Sequence, residues 1–125
     1  MKIPALLVPA LCLALAACKD VALSVVCPQD PQPAVVVGVF DAVTGESVAT
    51  EARGWYTVAT MTDSLRHTVR GEGVPQLAAF GPPGVYQVRV HRPGHAEWVQ
   101  GGLVVEKTEC GPATVRVAAT PQPTQ

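Results

Sequence analysis

Glycine and proline divide this chain into short pieces. They contribute 11 and 12 of its 125 residues, and from residue 34 onward they break the apolar runs about every ten residues, leaving no useful length of helical periodicity. Strands are what such pieces can form. Residues 34–40 are apolar on both faces, as expected of a central strand covered on each side, and Asp41-Ala42-Val43-Thr44-Gly45 supplies a turn after them. Residues 85–91 alternate cleanly, with Tyr86, Val88 and Val90 on one face and Gln87, Arg89 and His91 on the other. In 114–119, Val115 and Val117 point inward and Arg116 outward, while Leu65, His67 and Val69 alternate with Arg66, Thr68 and Arg70. Residues 55–62 and 98–105 complete the strand candidates, the second interrupted by a bulge at Gly101-Gly102. The pattern predicts an all-β fold, a small β-sandwich of about seven strands.

Two segments resemble a known family. Val35-Val36-Val37-Gly38-Val39-Phe40-Asp41-Ala42-Val43-Thr44-Gly45-Glu46-Ser47-Val48 is similar to the opening of carboxypeptidase regulatory-like domains, where a strand runs into D-x-x-T-G-x-x-V. Gly84-Val85-Tyr86-Gln87-Val88-Arg89-Val90-His91-Arg92-Pro93-Gly94-His95 is similar to that family's G-x-Y-x-V-x-V-x-x-x-G-Y, with His95 where tyrosine is usual. The resemblance spans residues 27–120 and is weakest over 51–80. It implies a Greek-key, prealbumin-like sandwich over 34–120, non-catalytic in itself, of a kind found beside peptidases and as stand-alone lipoproteins.

The N-terminus reads as an export leader. Lys2 precedes an uninterrupted apolar stretch over residues 3–17, shorter than the roughly 20 residues of a membrane-spanning helix and broken by Pro4 and Pro9. Leu15-Ala16-Ala17-Cys18 resembles the lipobox of bacterial lipoproteins. The resemblance implies removal of residues 1–17 as a signal peptide and acylation of Cys18, so that membrane lipid is the first partner and 18–33 is a lipidated tether. Several acyl chains hold a protein firmly on a bilayer. In enteric lipoproteins an aspartate directly after the cysteine retains the protein at the inner membrane. Lys19 stands there, so the expected location is the outer membrane, facing the periplasm. The polar tail 121–125 lacks an apolar pattern and is expected to be disordered.

Four cysteines then sort by place. Cys12 leaves with the leader and Cys18 carries lipid, so Cys27 and Cys110 remain, in an oxidising compartment, as a disulfide pair. Neither belongs to the paired-cysteine spacing of a structural zinc site. Loss of Lys2 leaves 8 basic residues against 10 acidic ones, 8 − 10 = −2, without a block of either sign. A nucleic-acid partner is therefore not expected.

Catalytic and cofactor chemistry finds little support. His95-Ala96-Glu97 matches the H-x-E of zinc deaminases, but the P-C-x-x-C half is missing. Pro93-Gly94 between His91 and His95 prevents the helix that would turn both toward one metal. No G-x-S-x-G elbow occurs, and Gly71-Glu72-Gly73 continues without the glycine and helix of a nucleotide loop. The expectation is a non-enzymatic module without cofactor or metal, with a structural role or an envelope protein partner. The alternative is a carbohydrate-binding module using Trp55, Tyr56 and Trp98, since exposed aromatics stack on sugar rings. A third reading, a small hydrolase, needs a histidine and an acid converging in a pocket.

Overall fold

The computed structural model describes residues 25–124. The expected leader and Cys18 lie outside the described residues. Ten strands follow in order: β1 (Val35–Val39), β2 (Arg53–Val58), β3 (Met61–Ser64), β4 (Arg66–Val69), β5 (Pro75–Ala79), β6 (Gly84–His91), β7 (Trp98–Val105), β8 (Lys107–Thr108), β9 (Gly111–Pro112) and β10 (Val115–Ala119). A 3-10 turn, Ala49–Glu51, precedes β2. The fold is an all-β sandwich. One four-stranded sheet has the order β10-β1-β5-β4, the other β3-β2-β6-β7, and β8-β9 forms a separate ribbon.

Alternation builds the core. Val35, Val37 and Val39 of β1 and Leu77 and Ala79 of β5 face Tyr56, Val58, Tyr86, Val88 and Val90 of the other sheet, all of them buried. β1 is the inner strand that its two apolar faces predict, lying parallel to β10 and antiparallel to β5. Its outward residue Val36 is covered as well, with 3% of its surface open. The bulge in β7 also falls where the glycine pair places it: Tyr86 faces Leu103 and Val88 faces Gln100, so Gly101 and Gly102 together oppose Gln87.

Several elements differ from the expectation. The run 55–62 is not one strand but a hairpin, with Val58 opposite Met61 and Ala59 in the left-handed region at φ 53°. No glycine, asparagine or proline announces that turn, so the sequence carries no signal for it. β5 carries no clear strand signal in the sequence, because its first residue is Pro75 and its apolar part is only Leu77-Ala78-Ala79. It nevertheless sits between β1 and β4. With these additions the two sheets hold eight strands rather than about seven. β4 lies at a sheet edge, where Leu65 just before it is buried while Val69 is 66% exposed.

The tail expected to be disordered is ordered through Thr124. Pro121 is fully buried, the Ala96 amide donates to Gln122 O at 2.7 Å, and the Thr124 amide and hydroxyl both donate to Gly94 O at 3.0 and 2.9 Å. Backbone groups of the loop 94–96 recruit these residues as partners, which side-chain polarity alone does not reveal.

The Cys27–Cys110 disulfide is present, joining residues 83 apart. Cys110 occupies the turn of the β8-β9 ribbon, so the bond ties the segment entering β1 to the segment leaving β7. Nearby, Thr114 Oγ1 donates to Pro33 O at 2.6 Å and the Val115 amide to Ala34 O at 2.9 Å. β6 starts at this same end, where Tyr86 Oη donates to Pro82 O at 2.6 Å, four residues upstream, in the manner of a tyrosine corner. Burial pushes the Tyr86 phenol up to about 12. β1 and β6 both run away from the disulfide, and β1 delivers Asp41, β6 Arg92, to the opposite end.

Candidate functional site

The end of the sandwich opposite the disulfide is organised around one guanidinium. As β1 ends, Asp41 Oδ1 accepts the amides of Val43 and Thr44 at 2.8 and 2.9 Å, and Asp41 O accepts the Gly45 amide at 2.9 Å. This closes the turn that the D-x-x-T-G pattern announces. Gly45 completes it with φ 75°, a conformation that a side chain would strain. The second carboxylate oxygen, Oδ2, accepts from Arg92 Nη1 at 3.0 Å across 51 residues of sequence. The Thr44 amide first, then Arg92 and the Val43 amide, hold the Asp41 carboxyl well below the usual carboxylate range.

Arg92 is the most enclosed charge of the group, its side chain 11% exposed. Besides Asp41 it reaches Glu51 at 3.7 Å, and Nη1 donates to His95 Nε2 at 3.2 Å. A guanidinium can only donate, so Nε2 accepts and the ring proton sits on Nδ1, which donates to Pro93 O at 2.9 Å. One side chain thus joins the β1 turn, the 3-10 turn and the loop that carries the C-terminal residues.

Beside this cluster opens a hollow of about 280 Å³, lined by Thr50, Glu51, Arg53, His67 and His91 among others. His67 Nε2 donates to Ala52 O at 2.8 Å, which fixes that ring and leaves Nδ1 for other contacts. Two histidines and a carboxylate therefore border one hollow, which the sequence does not show because β4, the 3-10 turn and β6 contribute them separately. Its lining holds no serine or cysteine, and among the described residues no three His, Cys, Asp or Glu side chains gather closely enough to hold a metal ion. What the arrangement can do is present imidazole, guanidinium and carboxylate groups to a polar surface.

The three candidate sugar contacts do not come together. Trp55 lies across from Arg89 and Trp98 across from Val90, and since neighbouring residues of β6 point to opposite faces, so do the two indoles. Trp55 is 38% exposed on the outer face, with Arg53 over its ring at 6.0 Å. Tyr56 is buried, its ring 5.5 Å from that of Tyr86, and Trp98 packs against the core. Of the other residues singled out, Cys27 and Cys110 are bonded to one another, and Cys18 lies outside the described residues. The residue that sequence reasoning missed is Arg92, whose only signal is its place directly before Pro93-Gly94 at the end of an alternating strand. Neither protein-family models nor curated proteins match this chain.

Proposed function

We propose that this chain is a lipid-anchored, non-enzymatic module of the cell envelope, of the carboxypeptidase regulatory-like kind, which presents its Arg92 end to an envelope protein. The observation carrying the reading is polarity: the disulfide stands at one end of β1 and β6 and the charged cluster at the other. An acylated Cys18 lies nine residues before Cys27, a reach of roughly 30 Å at most. The disulfide end is thereby kept near the bilayer. The eight residues of β6, roughly 25 Å long, carry the histidine-lined hollow to the far side. Strand β1 leading into the Asp41 turn, and β6 opening on Gly84 with Tyr86 inward, support the family reading.

Intact mass spectrometry of the protein from native membranes tests the anchor. The expected product starts at an acylated Cys18, with Cys27 and Cys110 alkylated only after reduction; an unacylated chain starting elsewhere overturns the reading. The presenting end is tested by photo-crosslinking in cells from Thr50, beside the hollow, and from Thr108, in the ribbon. Adducts from Thr50 but not Thr108 support it, and the reverse pattern refutes it.

A further inference from the structure

We propose that the outer face of the β10-β1-β5-β4 sheet holds a binding site for a small carboxylic acid with an apolar body. A half-enclosed hollow of about 120 Å³ lies there, floored by Val36 and Gly38, walled by Phe40 and Val74, and flanked by Arg70 and Arg116. The Phe40 ring lies directly over Gly38, where an added Cβ would meet it at 2.7 Å, so the wall stands in place only because residue 38 has no side chain. No acidic residue lines the hollow. Arg116 makes no ion pair among the described residues, and Arg70 has only Glu72, at 3.4 Å with both side chains more than half exposed. Solvent-exposed pairs of that kind hold little.

Positive charge is thus concentrated beside an apolar hollow in a chain whose net charge is −1. A guanidinium fork matches the two oxygens of a carboxylate, and the apolar walls match a body of about six carbons, the size that an apolar cavity of comparable volume accepts. Phosphate fits less well, since a fully hydrated anion leaves those walls against water. This site does not depend on the anchor or on the Arg92 end, and its failure leaves both readings standing.

The test uses the full chain in detergent, disulfide intact, observed through the methyl resonances of Val36 and Val74, which line the hollow. Hexanoate at millimolar concentration is expected to shift these signals saturably, while acetate, hexanol and hexylamine each bind at least about tenfold more weakly. Arg116→Gln is expected to weaken hexanoate about tenfold, and Arg89→Gln, on the other sheet, to leave it unchanged. Methyl signals indifferent to hexanoate, or shifts that hexanol reproduces at equal concentration, overturn the proposal without reference to any variant.

Discussion

The two ends of this sandwich are secured by different physics. At one end a covalent bond ties the entry to β1 to the β8-β9 ribbon, and the neutral Tyr86 hydroxyl closes on Pro82 O. At the other, three chain segments meet on the Arg92 guanidinium through Asp41, Glu51 and His95. A covalent staple answers to redox chemistry and is indifferent to mild acid. A charge cluster answers to pH and to the loss of a single side chain. The disulfide end is therefore the covalently fixed one, and the Arg92 end is held by interactions that conditions can adjust.

The largest expected effect separates the two ends covalently. Replacing Cys27 and Cys110 by serine removes the constraint on an 83-residue separation and is expected to cost about 4 to 5 kcal/mol in chemical denaturation. Amide exchange should accelerate first in residues 27–34 and the ribbon, with Val43 and Thr44 following only global unfolding. Equal acceleration at both ends would show that the staple does not act locally. Next is Leu77→Ala, which opens a cavity in the core shared by both ends and is expected to cost about 2 to 5 kcal/mol, with exchange rising throughout.

pH should distinguish the ends with opposite signs. The Asp41 carboxyl is held below its ordinary value of 3.8, so its contribution is present above that value and is lost as pH falls through the lower folded one. Acid titration followed by NMR should release the Val43 and Thr44 amides before those of the ribbon; simultaneous release would break the contrast. Tyr86 titrates at about 12 when folded against 10.0 ordinarily, so the unfolded chain loses its proton first. Stability should fall between about pH 10 and 12, starting at the disulfide end. A smaller effect is expected of Tyr86→Phe, about 1 kcal/mol, for the lost hydrogen bond to Pro82 O. It should also flatten the alkaline fall.

Most of the sandwich was legible in the sequence wherever a residue's neighbours in the chain decide its conformation. β6 alternates as its residues do, the D-x-x-T-G turn closes on Asp41, and the glycine pair makes the bulge. The hairpin at Ala59, strand β5 and the ordered tail were not legible. The Ala59 turn contains no residue that favours turns, while β5 and the tail satisfy backbone groups through partners far along the chain. The candidate site shared that fate. Asp41 and Arg92 each sit in a readable motif, but nothing local states that a carboxylate and a guanidinium 51 residues apart meet at 3.0 Å.

Periodicity and turn chemistry, both short-range, determined from sequence alone that this chain forms strands and where most of them bend. Only the tertiary structure decided that the disulfide and the Arg92 cluster occupy opposite ends, that Trp55 and Trp98 face opposite ways, and that His67 and His91 border one hollow. Those outcomes depend on strand order and register, and register is set by packing the whole core at once rather than by any one segment.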